Sequence, residues 1–317
     1  MRSTTTPRRS DVGEHVIKRV AVIGCGTIGA SWAALFLAHG YDVAASEPRP
    51  EAEIELRAVV AGLLPTLEPT GPIGQLTFTT DLEACCREAD FVQENVVERA
   101  AVKIELMARM DAVLRPDVVI ASSSSAITVS VMQSACARPG RVVLGHPFNP
   151  PHLVPLVELV GGTATEAWAL DVAEALYVGL GKKPIRLRKE IFGHVANRLQ
   201  AAIFRESIHL LEEGIASVDE IDAAVTEGPG LRWALMGPFL TYHLAGGPSG
   251  MRGFMDQFAP MQQCLWSELG QPQLDDAMQS RVIAAVDKAM QQRSMDEIRT
   301  QRDRRIRAVL QARATEI

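Results

Sequence analysis

A histidine and a glutamate stand near each other in the sequence, in surroundings that suit proton transfer. His146 lies in Gly-His-Pro-Phe-Asn-Pro-Pro directly after the apolar run 142–144, and Glu158 is the one charged residue of the apolar run 153–160. An imidazole titrates near neutral pH, so it can take a proton from an alcohol and return it, while a carboxylate fixes its tautomer and stabilises its charged form. We interpret the pair as a base with its partner, against the alternative of a structural histidine. Three other histidines compete for the role: His152, His194 and His243.

Three glycines follow an apolar run at the spacing Gly-x-Gly-x-x-Gly, and a helix-like stretch comes next. Gly24 would allow a tight turn, Gly26 would let a pyrophosphate approach the backbone, and Gly29 would let helix and strand pack closely. Thr27 and Ile28 would open the helix, whose N-terminus attracts phosphates. The segment therefore predicts a dinucleotide-binding loop, with a flexible glycine turn as the alternative.

An acidic residue follows the second apolar run at the distance expected for ribose binding. Glu47 lies 23 residues beyond Gly24. A carboxylate there can accept hydrogen bonds from both hydroxyls of an adenine ribose and would repel a 2′-phosphate. We therefore expect NAD as the cofactor. Arg49 keeps NADP open, and an ordinary exposed acid is the plainer interpretation of Glu47.

These residues need a scaffold, and the first half of the chain alternates short apolar runs with helix-like stretches. Such a rhythm is typical of a parallel sheet with crossover helices. The strand-like runs are 20–23, 43–45, 76–78, 91–92, 118–121, 142–144, 154–160 and 184–187. Beyond them the pattern becomes helical, since apolar residues recur at helical spacing in 197–213, Gly214 suits a helix end, and Ser217 with Glu220 forms a capping box.

The pattern predicts an α/β fold, in which a Rossmann-type, doubly wound and mostly parallel sheet is followed by a smaller all-helical domain. We expect a disordered lead over 1–15, with a transit peptide as the alternative, an NAD-binding domain over 16–190 and a helical substrate domain over 191–317. The charge-rich stretch 295–317 predicts a solvated terminal helix.

Composition narrows the classes of function. The 317 residues are 47% hydrophobic, enough for a large core, and the net charge of −6 gives no bulk attraction to nucleic acid or anionic lipid. No apolar run reaches the roughly 18 residues that a membrane helix needs. The five cysteines lack ligand spacing, so they predict neither a metal centre nor a disulfide scaffold. We expect a cytoplasmic protein with a small-molecule substrate and no metal.

Several further motifs occur between residue 19 and about residue 265. Together with the segments above they are Gly24-x-Gly26-x-x-Gly29, Glu94-Asn-Val-Val-Glu98 with Lys103, Ser122 to Ser125, His146-Pro-Phe-Asn149-Pro, Pro155-Leu-Val-Glu158, Gly193-x-x-x-Asn197-Arg-Leu and Met236-Gly-Pro238. Through these motifs the chain resembles the 3-hydroxyacyl-CoA dehydrogenase family. The resemblance implies a catalytic group of His146, Glu158, Ser125 and Asn197. It also implies contacts with the nicotinamide half of NAD from Glu98, Lys103 and Asn149. A homodimer formed through the helical domain is implied as well.

Some of these positions have plainer interpretations or depart from the family. The hydroxyl of Ser125 could satisfy a turn, and Asn197 could cap a helix. Serines fill 122–124 where acyl-CoA members usually read Ser-Asn-Thr, and His194 stands where many members have a phenylalanine. These departures bear on the substrate more than on the reaction.

Two regions bear on the substrate. Between Glu51 and Asp90, where acyl-CoA members carry a lysine-rich hairpin, the cations are Arg57 and Arg87 alone, which suits the phosphates of coenzyme A poorly. Residues 228–258 resemble the L-carnitine branch of the family and, more distantly, the branch of L-gulonate 3-dehydrogenase and lambda-crystallin.

Within 228–258, Arg232 would grip a carboxylate and Trp233 would face a trimethylammonium group. Most other aromatic residues in and after this stretch are expected to pack in a helical core, with Tyr242 and Trp266 left open: Phe239, Tyr242, Phe254, Phe258 and Trp266. The expected reaction is NAD-dependent oxidation of the 3-hydroxyl of a small hydroxy acid, L-carnitine first. The alternatives are L-gulonate, a short-chain 3-hydroxyacyl-CoA, and a non-catalytic, crystallin-like NAD-binding protein.

Overall fold

The computed structural model describes residues 16–69, 71–290 and 293–314. The expectation of a disordered lead over 1–15 lies outside these residues. The chain divides into two compact units between Val195 and Ala196. Within the described residues no helix has the length and apolar character needed to cross a membrane.

The first unit is built on one eight-stranded sheet. Its strands are β1 (Arg19–Ile23), β2 (Asp42–Ser46), β3 (Leu76–Thr79), β4 (Phe91–Glu94), β5 (Val119–Ser122), β6 (Val142–Pro147), β7 (Leu156–Gly161) and β8 (Lys183–Arg186). They lie in the order β3-β2-β1-β4-β5-β6-β7-β8, and neighbouring strands are parallel except for the antiparallel pair β6 and β7. Each predicted run overlaps one of these strands, so the predicted Rossmann-type sheet is confirmed.

Helices cover both faces of this sheet. They are α1 (Thr27–Ala38), α2 (Ala52–Leu63), α3 (Leu82–Arg87), α4 (Ala100–Val113), α5 (Val129–Met132) and α6 (Ala167–Gly179), with short 3₁₀ turns at Leu64–Leu67, Gln133–Ala135 and Pro139–Arg141. Side chains of β1 alternate between two cores, since Val20 and Val22 belong to one apolar cluster and Ala21 and Ile23 to the other. This alternation follows from the two-residue period of a strand.

The strand order indicates where the first unit is expected to bind a ligand. β1 lies between β2 and β4, so the chain winds outward in opposite directions from this point. In open α/β sheets ligands bind beyond the carboxyl ends of the strands at such a switch point. The glycine segment 24–29 leaves β1 at that edge.

The second unit is helical, as predicted. Its helices are α7 (Ala196–Glu212), α8 (Val218–Thr226), α9 (Pro229–Trp233), α10 (Pro238–Ala245), α11 (Gly250–Glu268), α12 (Asp276–Ala289) and α13 (Met295–Ala314), with a 3₁₀ turn at Gly247–Ser249. Gly214 follows α7 with a φ of 67°, and Ser217 with Glu220 forms the capping box of α8. α13 buries none of its side chains, which agrees with a solvated helix.

Candidate active site

The two strands of the antiparallel pair carry the predicted base and its partner. His146 in β6 and Glu158 in β7 stand directly opposite each other in the strand register, so both side chains project from the same face of the sheet. Nδ1 of His146 lies 2.9 Å from Oε2 of Glu158, and both side chains are buried. Since a carboxylate only accepts, Nδ1 carries a proton, and in the neutral ring Nε2 keeps its lone pair. The lone pair of Nε2 is therefore available to take a proton from an alcohol.

Ser125 lies on the open side of this imidazole. Its Oγ is 3.3 Å from Nε2 of His146, and the serine is exposed. The remaining Glu158 oxygen, Oε1, accepts the backbone N–H of Val195 at 2.8 Å. A serine, a histidine and a glutamate therefore lie in one hydrogen-bonded row, which runs from solvent into the sheet.

The loop that carries Ser125 is held by the glutamate of the Glu-Asn-Val-Val-Glu motif. Oε1 of Glu98 accepts the hydroxyl of Ser124 at 2.6 Å and the backbone N–H of Ala126 at 2.8 Å. Burial alone would raise the pKa of Glu98, but these hydrogen bonds and the charge of Lys103 bring the pKa below its ordinary value. Glu98 is therefore ionised at neutral pH and anchors the serine loop.

Lys103, expected beside the nicotinamide, has its ammonium group inside the protein. The side chain is 1% exposed, and Nζ lies 2.6 Å from Oε1 of Glu94 and 3.7 Å from Oε2 of Glu98. Glu94 also accepts the Ser122 hydroxyl at 2.5 Å. In this arrangement Lys103 pairs with both carboxylates and orients Glu98, while Asn149 is exposed two residues after the end of β6. Sequence reasoning gave Glu94 no role of its own.

The glycine loop has the geometry that a dinucleotide needs. Gly24 has a φ of 88°, and a Cβ on Gly29 would lie 1.8 Å from the carbonyl oxygen of Gly24. A Cβ on Gly26 would meet no heavy atom within 4 Å, so the space above this residue is open. No side chain caps the N-terminus of α1, whose N–H groups can therefore bind phosphate. These residues fit NAD.

The side of the glycine loop that is predicted to bind the adenine ribose is acidic. Glu47 follows β2, and its Oε2 accepts the Cys25 backbone N–H at 3.2 Å. Arg49 lies within 4 Å of three carboxylates, with its guanidinium 3.5 Å from Glu47. Its charge is therefore balanced by acids, which favours NAD over a cofactor with a 2′-phosphate. Burial, together with the charge of Glu47, raises the pKa of the Cys25 thiol to about 12, so the thiol does not act as a nucleophile.

Removing the charge of Glu47 should relax this preference. We expect Glu47→Ser to shift the ratio of NADPH to NADH affinity toward NADPH by about tenfold or more, because repulsion disappears and Arg49 becomes available to a phosphate. Fluorescence titration of both reduced cofactors measures the ratio. In the double variant with Arg49→Ala most of the gain should vanish. An unchanged ratio in Glu47→Ser would show that Glu47 does not select the cofactor.

The remaining predicted substrate residues belong to the second unit. Asn197 is the second residue of α7. Arg232 and Trp233 are the last two residues of the short helix α9, and these two side chains are exposed, Trp233 by 39%.

The other aromatic residues in and after this stretch of the sequence differ in their surroundings. Tyr242, Phe254 and Phe258 contact one another in series with tilted rings, at centroid distances of 4.6 and 5.3 Å. Phe254 is buried, as expected of a core residue, whereas Phe239, also expected in a core, is 82% exposed. Tyr242 and Trp266, which the sequence left open, are 40% and 64% exposed.

Lys182 is a buried residue that sequence reasoning missed. Its ammonium donates to the backbone oxygens of Pro151 and Val154, in the connection between β6 and β7, and lies 5.4 Å from the ring of Trp32. Burial lowers the pKa of Lys182 to about 7. In the sequence it reads as a surface charge in Gly-Lys-Lys-Pro, so no local signal separates it from its neighbour Lys183.

One group among the described residues has the composition of a metal site. His209, Glu212 and Glu213, at the end of α7, place one ligand atom each within 4.8 Å of the others. Arg281 lies in the same hollow and donates to the backbone oxygens of Leu211 and Glu212. The guanidinium of Arg281 therefore already binds the C-terminal end of α7, which carries the negative pole of the helix dipole.

Comparisons with known proteins agree with this geometry. Residues 19–191 match the NAD-binding domain of 3-hydroxyacyl-CoA dehydrogenase, and residues 193–276 match the C-terminal domain of the same family. The fold and the site define an NAD-dependent oxidoreductase that acts on an alcohol carbon. The chain belongs to the 3-hydroxyacyl-CoA dehydrogenase family.

Individual relatives extend the comparison. L-carnitine dehydrogenase of Nocardiopsis dassonvillei is 46% identical over 303 residues, which cover 94% of this chain and 92% of that protein. The crystal structure of an NAD⁺-dependent dismutase, 5-formyl-3-hydroxy-2-methylpyridine 4-carboxylic acid 5-dehydrogenase, has a TM-score of 0.81 at 24% identity over 95% of this chain and 100% of that one. (S)-3-Hydroxybutyryl-CoA dehydrogenase of Ralstonia eutropha has a TM-score of 0.63 at 25% identity, covering 85% of this chain and 94% of that one.

Proposed function

We propose that this enzyme oxidises the 3-hydroxyl of L-carnitine to 3-dehydrocarnitine. The observation that carries the proposal is the pairing of His146 with Glu158, in a chain 46% identical to an L-carnitine dehydrogenase over 94% of its length. NAD, when bound, supplies the acceptor for the hydride that leaves the substrate carbon. Nε2 of His146 takes the hydroxyl proton, and Glu158 stabilises the imidazolium that results.

Two neutral groups orient the reacting oxygen in this proposal. The hydroxyl of Ser125 lies within 3.3 Å of the accepting nitrogen and can hydrogen-bond the same oxygen. Asn197 is proposed as a second donor, as the family resemblance implies. Neutral donors aimed at an oxygen stabilise charge as its bond order changes, without repelling the imidazolium.

The charges of carnitine match the residues proposed to bind it. Arg232 is proposed for the carboxylate, which a guanidinium can bind through two parallel hydrogen bonds. Trp233 is proposed for the trimethylammonium group, since such a group has no hydrogen-bond donor and is attracted to an aromatic face. Both residues are exposed on α9, which supports their availability to a ligand.

A coenzyme A thioester is the weaker candidate because of the surface around α2. Arg57 donates to Glu53 at 2.9 Å and Arg49 lies beside Glu47, Glu51 and Glu55, so these cations are already neutralised. A ligand with several phosphates would meet little positive charge there. Because the structure is similar to that of a 3-hydroxybutyryl-CoA dehydrogenase, a coenzyme A thioester is included among the substrates to be assayed.

One assay separates the candidates. Purified protein is incubated with NAD and each of L-carnitine, L-gulonate and 3-hydroxybutyryl-CoA, and the absorbance of the reduced cofactor is followed. We expect turnover with L-carnitine and at least tenfold lower kcat/KM for the others, about 1.4 kcal/mol of discrimination. Turnover with another substrate and none with carnitine overturns the proposal. Cofactor binding without turnover of any substrate favours the non-catalytic alternative.

We also propose that the protein is a cytoplasmic homodimer, with an NAD-binding domain over 16–190 and a helical domain over 191–317. Large apolar side chains exposed on the helical unit support an interface there, among them Phe239, Trp266, Leu235 and Leu231. Five free cysteines, of which Cys25, Cys85 and Cys86 are buried, fit a reducing compartment. Size-exclusion chromatography with light scattering measures the oligomeric state.

A further inference from the structure

The short segment before α7 forms hydrogen bonds with Glu158, at one end of the hydrogen-bonded row, and with Ser124, the neighbour of Ser125 at the other end. The N–H of Val195 donates to Oε1 of Glu158 at 2.8 Å, and the neighbouring His194 reaches the backbone oxygen of Ser124 with Nε2 at 3.0 Å. Gly193 and His194 both have positive φ, 74° and 51°, so the backbone is bent where these contacts form. The segment therefore binds Glu158 directly and reaches the other end of the row through the residue before Ser125.

His194 is 1% exposed, and its ring lies against the proposed base. The ring centroids of His194 and His146 are 5.1 Å apart, and the rings are tilted by 50°. Since a backbone oxygen only accepts, the proton of His194 is on Nε2 and its Nδ1 carries a lone pair. Nδ1 is buried and has no hydrogen-bond partner in the described part of the chain.

Packing alone does not explain an imidazole at this position. A buried lone pair without a partner costs free energy that an apolar ring of similar size would not cost. A positive φ, here 51°, is also uncommon for a residue other than glycine. We therefore look for the role of His194 in its hydrogen bond to the backbone oxygen of Ser124.

The contact fixes a peptide group next to Ser125. The Ser124 oxygen belongs to the peptide that links Ser124 to Ser125, so holding it limits rotation of the backbone that carries the Ser125 hydroxyl. Glu98 holds the other side of the loop through Ser124 Oγ and the Ala126 N–H. Ser125 is thus restrained from two directions, and His194 supplies one of them.

We propose that His194 is a positioning residue, whose Nε2–H holds the Ser124–Ser125 peptide so that the Ser125 hydroxyl stays in line with Nε2 of His146. The proposal rests on the proposed function of this same site. Burial lowers the pKa of His194, which keeps its ring uncharged beside a histidine that must become positive during the reaction. A neutral neighbour avoids the repulsion that a second imidazolium would cause.

Three variants test the role. His194→Phe keeps the ring and removes the donor, whereas His194→Gln keeps an N–H donor near the position of Nε2. His39→Phe is the matched control, because Nδ1 of His39 lies 2.9 Å from a backbone oxygen, that of Leu35, at the exposed end of α1. We expect kcat to fall about tenfold or more in His194→Phe, with NADH affinity unchanged and KM altered less than kcat. His194→Gln should recover most of this loss, and His39→Phe should resemble the wild type.

A second measurement does not depend on the substrate. In ¹⁵N spectra of histidine-labelled protein, the Nε2 resonance of His146 should shift in His194→Phe, since the Ser125 hydroxyl no longer donates to it, and should return in His194→Gln. An unshifted resonance overturns the inference whatever the substrate is. Wild-type kcat in His194→Phe, or an equal loss in His194→Gln, also overturns it. A wild type that oxidises none of the three hydroxy acids counts against the proposed function, and the spectra then decide the inference alone.

Discussion

Replacing His146 with glutamine is expected to lower turnover about a hundred- to ten-thousandfold while NADH affinity stays within a few-fold of the wild type. The range is what a positioned general base contributes. A glutamine amide fills similar space but cannot accept and hold a proton at neutral pH. His146 stands on β6 and the glycine loop follows β1, so cofactor binding should be spared. Steady-state rates and NADH fluorescence titration measure the two effects.

Glu158→Gln is the informative companion to this variant. The amide N–H₂ of a glutamine can donate to Nδ1 of His146, which would move the ring proton to Nε2 and leave no lone pair for the alcohol. We therefore expect kcat to fall strongly while the protein remains folded, with circular dichroism as the control for folding.

A wild-type rate in His146→Gln would falsify the assignment of the base.

Two alanine substitutions in the glycine loop are expected to separate cofactor binding from packing. Gly26→Ala adds a Cβ into open space, so stability should hardly change, whereas NADH affinity should fall about tenfold or more because the methyl meets the pyrophosphate. Gly29→Ala places a Cβ 1.8 Å from the Gly24 oxygen, and either the helix or the turn must move. The expected cost in stability is about 1–3 kcal/mol, together with loss of NADH binding.

Urea unfolding and NADH titration of both variants check this difference. If Gly26→Ala binds NADH as tightly as the wild type, the phosphates do not approach at that residue. If Gly29→Ala is as stable as the wild type, the close approach of α1 to the Gly24 turn does not matter for folding.

The scaffold and the central pair could be predicted because each leaves a local signal in the sequence. The strands are short apolar runs, the turn after β1 is a fixed spacing of glycines, and Glu158 is an acid in an otherwise apolar run. The structure explains that acid, since Glu158 is the cross-strand partner of His146 in an antiparallel ladder. A single charged residue in a buried strand therefore indicated its partner before the register was known.

Other contacts of the site depend on pairing between distant residues, which spacing does not reveal. The carbonyl oxygens that hold Lys182 lie 31 and 28 residues away from it, and the oxygen that holds His194 lies 70 residues away. Backbone oxygens occur at every residue, so no residue type in the sequence marks them as partners. The same holds for Lys103. The family motif identified this lysine as a site residue, but only the structure shows that it is buried against Glu94.

The antiparallel ladder of β6 and β7 makes the reacting pair independent of the loop beside it. Backbone hydrogen bonds across the two strands set the spacing of His146 and Glu158, and the connection 148–155 does not set it. Insertions in that connection would leave the spacing intact, whereas removing one residue of β7 ahead of Glu158 would turn the carboxylate to the opposite face. The connection can therefore change in length without a matching change in the proton chemistry.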